Sequence, residues 1–208
     1  MIHYIQNLKI RLKLYILIGV ALIGMFIIGG MSFYLMGRMN EMTDDISTSW
    51  LPSIDTAREL TNTLSNIRLN ELGYLTAISD EVEASSLQYL QKEKENMDTL
   101  LVTYKGLIDE EESSFYDNAK KLWTQYDKAD DEMMALAGQG HTDEARAILE
   151  GECVELYNSL NSAFQEIIAY NTDGSDAATK ESFSLYRTAI CLMSAIIIAI
   201  ILVGVFFS

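Results

Sequence analysis

Apolar residues along this chain fall into two kinds of pattern, and the change from one to the other divides the molecule. Two stretches are apolar without interruption: "LYILIGVALIGMFIIGGMSFYLMG", Leu14 to Gly37, and "TAICLMSAIIIAIILVGVFF", Thr188 to Phe207, neither with a charged residue. At about 1.5 Å of rise per residue, each can cross a bilayer core of about 30 Å as a helix. Between them apolar residues recur in steps of three and four, the spacing that lines one face of an α-helix. Four such stripes follow in order. The first is Leu51, Ile54, Ala57, Leu64, Leu72, Leu75 and Ile78; the second is Leu87, Leu90, Lys94, Met97, Leu101, Tyr104 and Ile108. The third is Phe115, Ala119, Leu122, Tyr126, Ala129, Met133 and Leu136; the fourth begins at Leu149 and Cys153 and runs through Leu156, Leu160, Ala163, Ile167, Asn171, Gly174 and Ala178 to Leu185.

Breakers separate the stripes. The acidic "DEEES" ends the second, and "GQGHTDEA" ends the third with glycines and offers Thr142 as N-cap of the next helix. Pro52, the single proline, is a candidate kink in the first. Gly174 lies on the fourth stripe, which suggests close packing there. Four stripes joined by short loops predict an all-α fold: a membrane-anchored antiparallel four-helix bundle, with two transmembrane helices continuous with the first and fourth bundle helices. The predicted boundaries are 1–13 for a cytoplasmic N-terminus, 14–37 for the first transmembrane helix, 38–187 for the extracytoplasmic bundle and 188–207 for the second transmembrane helix.

Charge then orients this plan. Lys9, Arg11 and Lys13 precede the first apolar run with no acid among them, so the N-terminus is expected in the cytoplasm and the bundle outside a plasma membrane crossed twice. The first run reads as a retained anchor, because its apolar core is too long for a signal peptide and no small-residue cleavage site follows. All 30 acidic residues lie in the bundle against 12 of the 15 basic ones, within a net charge of −15 for the chain. That excess argues against nucleic acid and against lying flat on anionic lipid; membrane lipid is met only by the two spans. The two cysteines, Cys153 and Cys191, are too far apart on one helix to pair within a chain. Cys153 is expected to be a small buried hydrophobe, with an intersubunit disulfide as the minor reading.

Enzyme signatures are absent: no H-E-x-x-H, Cys-x-x-Cys, glycine-rich phosphate loop or G-x-S-x-G elbow occurs. His3 and His141 are the only histidines and have no partners at ligand spacing, so no metal and no cofactor are expected. The acidic runs at 109–112 and 130–132 lack the oxygen spacing and glycine of a calcium loop and read as solvated helix ends.

One stretch resists the bland reading. In "SNIRLNELGYL", turning about 100° per residue from Ile54, the apolar residues centre near about −60° and Arg68 falls at about −40°. Arg58, Thr61 and Ser65 continue a polar ribbon along one edge. A guanidinium on the apolar face needs an anion, and three are available: Glu71 at i+3, a carboxylate on a facing helix or second subunit, or a ligand carboxylate gripped bidentately. Counted from the membrane, Arg68 shares a level with "ELYNSLNSAF", whose Tyr157, Asn161 and Phe164 with the ribbon would make a small organic-anion site. Asn171, on the apolar stripe, reads as a buried packing or register amide rather than a ligand contact.

The start "NLKIRLKLYILIGV", the segment "SWLPSIDTARELTNTLSNIRLNELGYL", the "GHTDEARAILEGE" approach to the fourth helix and "YNTDGSDAA" before the second membrane run together resemble the sensory part of bacterial methyl-accepting chemotaxis receptors of the four-helix-bundle type. The likeness covers essentially the whole chain. It implies a non-enzymatic inner-membrane homodimer that binds an organic acid or amino acid between the first and fourth helices at the subunit interface. First-helix arginines would grip its carboxylates, and Arg68 and Arg58 match those positions. It also implies signalling by a small shift of the fourth helix. The chain ends at Ser208, where that helix would leave the membrane, so it reads as a fragment or a truncated receptor. Chemotaxis kinase and adaptor would be engaged only through a cytoplasmic part that is missing. The same sensor bundle caps histidine kinases and cyclic-dinucleotide enzymes, and a membrane-anchored adaptor bundle without a small ligand is the alternative from another class.

Overall fold

The computed structural model describes residues 9–108 and 110–207; His3 lies outside that range. Among the described residues are six α-helices and one π-helical turn: α1 (Ile10–Asp45), the π turn (Ile46–Trp50), α2 (Leu51–Leu75), α3 (Asp80–Lys105), α4 (Ser113–Gly138), α5 (Thr142–Glu150) and α6 (Glu152–Phe207). They make two compact units, one of Met1–Ile46 with Asp176–Ser208 and one of Ser47–Ser175.

The first unit pairs α1 with the later part of α6. Ser32 Oγ lies 3.8 Å from Met193 Sδ and Arg38 Nη2 lies 3.7 Å from Glu181 Oε1, so the two segments run antiparallel. Their outward surfaces are apolar, with Phe26 80% and Phe33 82% exposed. Apolar exposure on that scale marks a surface made for a non-aqueous neighbour, and these two helices are long and apolar enough to cross a membrane.

The second unit is the bundle. Its core is drawn from five helices: Leu60, Leu64 and Ile67 of α2; Met97, Leu101 and Tyr104 of α3; Ala119, Trp123, Tyr126 and Met133 of α4; Leu149 of α5; and Cys153, Leu160, Phe164 and Ile167 of α6. The predicted stripes of α4 and α6 hold within a residue. Helix α3 starts where Ser79 Oγ accepts the Val82 amide at 3.4 Å and Asp80, Glu81 and Glu83 meet the positive end of the helix dipole.

A π turn directly precedes Pro52: lacking an N–H and crowding the carbonyl four residues back, the proline is accommodated by one wider turn. Several expectations need correcting. The stripe of α2 is rotated from its predicted position, because Leu72 lies outward while Ser53, Thr63, Ile67 and Glu71 are buried; the helix stops at Leu75, and Ile78 beyond it is 95% exposed. The residues that are buried, Ser53, Ile54, Ala57, Leu60, Thr63, Leu64, Ile67 and Glu71, centre near about −100° on the same wheel. The fourth bundle helix is not continuous from Leu149. Gly151 breaks it at φ −99°, ψ −97°, where a Cβ would come within 2.9 Å of the Ala147 carbonyl. Thr142 is the first residue of α5 rather than its cap; His141 holds the cap position, its Nδ1 3.0 Å from Glu144 Oε1. Both acidic runs are more than solvated helix ends, since Glu112 and Asp130 are buried. Gly174 packs as expected, with the Trp50 indole on the space a side chain would need.

Candidate functional site

The polar ribbon of α2 faces α6, and the structure brings part of it together. Ser65 Oγ bonds the Thr61 carbonyl at 3.0 Å and lies 3.4 Å from the Tyr157 hydroxyl, a long bridge between the two helices. Thr61 donates back to the Ala57 carbonyl at 3.0 Å, a local bond typical of a helical threonine. Arg58 is 62% exposed and, among the described residues, held only by Asp55 at 3.8 Å, a solvent-screened contact of little energetic weight. Asn161 is half-buried on the same side of α6, whereas Phe164 is fully buried in the core beneath.

Arg68 is 17% exposed, and its guanidinium is occupied. Nη1 donates to Glu71 Oε2 at 3.1 Å and Nη2 to the Leu149 carbonyl at 2.9 Å. Leu149 lies in the last turn of α5, whose carbonyls lack helical partners. Arg68 therefore ties α2 to the end of α5 while neutralising Glu71. Of the three anions open to it in the sequence, the i+3 carboxylate is the one beside it.

The rotated stripe moves the anomaly from the arginine to the glutamate. Glu71 is fully buried in the α2 stripe, and its Oε1 accepts the Tyr126 hydroxyl at 2.6 Å. Asp130 of α4, one turn beyond Tyr126, is also buried, and its charge acts on the Glu71 carboxyl. Lys94 of α3 reaches Asp130 Oδ2 at 3.0 Å, Asp127 Oδ1 at 2.5 Å and Asp131 Oδ1 at 2.7 Å. Burial, reinforced by the Asp130 charge, pushes the Glu71 carboxyl from 4.5 up to about 7, against the pull of Tyr126 and Arg68. Burial raises Asp130 as well, opposed chiefly by Lys94. The Tyr126 hydroxyl is pushed up by burial and by the Glu71 charge. Burial works against the Lys94 ammonium, but its three aspartates more than offset that and raise it. Burial lifts the neighbouring Cys153 thiol to about 12, which makes it an unreactive packing residue. Glu71, Tyr126 and Asp130 were not singled out as site residues in the sequence, although Glu71 follows Ile67, and Asp130 follows Tyr126, by one stripe step of four.

A second buried node lies where the α3–α4 connection meets α6. Tyr104 donates to Glu112, and the Asn171 amide donates to Glu112 and to the Ile167 carbonyl, the latter at 3.0 Å. The register role read for Asn171 fits these bonds. Around it the rings of Phe115 and Trp50 pack tilted against Tyr170, at centroid separations of 5.3 and 6.0 Å.

This architecture has relatives. The profile described as a four-helix-bundle sensory module for signal transduction matches residues 7–186. A protein of Acetivibrio thermocellus named as a sensory transducer is 26% identical over 140 residues, 67% of this chain and 24% of that protein. YvaQ of Bacillus subtilis, also named as a sensory transducer, is 23% identical over 195 residues, 86% of this chain and 32% of that protein. The chain thus spans about a quarter to a third of these relatives' length. With most of its length matched and its helices arranged as the match requires, the chain belongs to the family of four-helix-bundle sensory modules of signal transduction.

Proposed function

We propose that the chain is the sensing part of a transmembrane chemoreceptor of the inner membrane, with its N-terminus in the cytoplasm and its bundle outside. In this reading it works as a homodimer, binds a small organic acid or amino acid, and sends a small shift of α6 to a cytoplasmic signalling part that engages the chemotaxis kinase and adaptor. The observation that carries it is the Ser65–Tyr157 bridge, which joins α2 to α6 at 3.4 Å between Arg58 and Arg68. A long, half-exposed hydrogen bond between two helices is easily exchanged for bonds to a ligand carboxylate. Arg58, barely held by Asp55, is free to supply the charge, with Thr61, Asn161 and Tyr157 alongside and Phe164 packed beneath. A ligand of higher affinity for one position of α6 biases that position, and displacements of about 1 to 2 Å suffice in switching proteins.

The pairing of Arg68 with Glu71 and Leu149 supports a second reading, in which the bundle is a membrane-anchored adaptor and Arg68 is purely structural. A thermal-shift screen of the full chain in detergent against amino acids, dicarboxylates and aromatic acids separates the two. A ligand at 100 times its Kd stabilises by about 2.7 kcal/mol. The sensor reading expects a hit that Arg58→Ala abolishes and Ser65→Ala weakens. No hit in any class, or a hit indifferent to Arg58 and Arg68, overturns it.

A further inference from the structure

We infer that the bundle binds a proton as a ligand in its own right, held between the carboxyls of Glu71 on α2 and Asp130 on α4, and that its occupancy is passed to α6. This stands apart from the organic-anion reading and needs none of its residues except Arg68.

The geometry calls for a proton. Glu71 is 0% and Asp130 1% exposed, and the Asp130 charge acts on the Glu71 carboxyl. Ionised carboxylates only accept, so a hydrogen bond forms between two of them only when one is protonated. The donors already present leave a place for it: Tyr126 and Arg68 serve the two Glu71 oxygens, Lys94 serves Asp130 Oδ2, and buried Asp130 Oδ1 has no donor among the described residues. A buried acceptor without a donor is rare in folded proteins.

The surrounding charges set the consequence. Arg68 faces the pair from α2, Lys94 from α3, Tyr126, Asp127 and Asp131 from α4, and Cys153 from α6. Two cations thus meet four carboxylates at the centre of the cluster, and one proton removes one of those negative charges. When it leaves, two like charges face each other inside the bundle, and α2 is pushed from α4. Arg68 carries the change outward, because the guanidinium that pairs with Glu71 also holds the Leu149 carbonyl, two residues before the Gly151 break that leads into α6.

The sign is fixed by the raised Glu71 carboxyl, at about 7 in the fold against an ordinary 4.5. The folded state holds the proton more tightly than the unfolded chain. Its stabilisation is complete below about 4.5, shrinks as pH rises and is gone above about 7.

The test uses the full chain in detergent, with thermal unfolding and infrared absorption followed from about pH 5 to about 8.5. The protonated-carboxyl band should be present in the folded protein at the acid end and disappear through neutrality. Glu71→Gln keeps the donor to Asp130 but cannot titrate. Wild type should lose roughly 5–10 °C more than this variant as pH rises across that range. Equal pH profiles for wild type and Glu71→Gln overturn the inference, as does a folded wild-type protein without the band at about pH 5. Should the Gln variant fail to fold, the band decides in the wild type alone, and its loss in Asp130→Asn supports the shared proton. A null ligand screen leaves these outcomes untouched.

Discussion

Two buried polar nodes lie in the same bundle and are built on opposite plans. The node of Glu71, Asp127, Asp130, Asp131, Lys94 and Arg68 joins α3 to α4 through ion pairs and α2 to α4 and α5 through hydrogen bonds, and holds more carboxylates than cations. The node of Tyr104, Glu112 and Asn171 joins α3, α6 and the α3–α4 connection through a hydroxyl and an amide, with a single acid. The first has a group that titrates near neutrality, so its bonding depends on the medium. The second bonds its acid to a hydroxyl and an amide, and that amide also returns to the α6 backbone. A sensory bundle needs a part whose energy can be altered, and the first node is built as one.

The comparison can be broken in four places, from the largest expected effect downward. Lys94→Met strands Asp130 without its cation and should cost roughly 3–5 kcal/mol at about pH 8 by thermal unfolding, less as acid neutralises the cluster. Tyr104→Phe removes a donor from buried Glu112 and should cost about 1–3 kcal/mol by thermal unfolding; no measurable loss would remove the second node from the comparison. Tyr126→Phe should cost about 1 kcal/mol and move the infrared titration of Glu71 to higher pH, because its hydrogen bond favours the carboxylate. Ser65→Ala lies outside both nodes and should change the unfolding midpoint by under about 0.5 kcal/mol, while still weakening any organic-anion ligand found.

Much of this fold was legible because apolar periodicity is a burial signal, and burial governs a bundle. The stripes of α4 and α6, the close packing at Gly174 and the register role of Asn171 all follow from spacing. The miss at Glu71 has a physical origin. Counting Leu72 as core, and leaving out Thr63, Ile67 and Glu71, turned the α2 face toward Arg68, yet Leu72, in the last turn of the helix, is left in solvent. Charge also misleads a hydropathy reading. Lys94 could be placed on its stripe, but Asp130 and Glu112 sat within acidic runs that read as solvated, and only their partners across the bundle, Lys94 and Tyr104, account for their burial. Of the ribbon, spacing brought Ser65 level with Tyr157, but the direction of the Arg68 side chain depended on a carbonyl freed by the break at Gly151.

The packing of Trp50 against Gly174 has a consequence for measurement. The chain has two tryptophans, and they sit in unlike surroundings: Trp123 is buried and donates its indole N–H to Asp98 at 2.8 Å, while Trp50 rests on the backbone of α6 beside Tyr170. Fluorescence can therefore separate them. A slide of α6 along the bundle moves the Trp50 ring off its glycine onto a side chain and changes its emission, whereas Trp123 stays dark to the motion and serves as the internal reference.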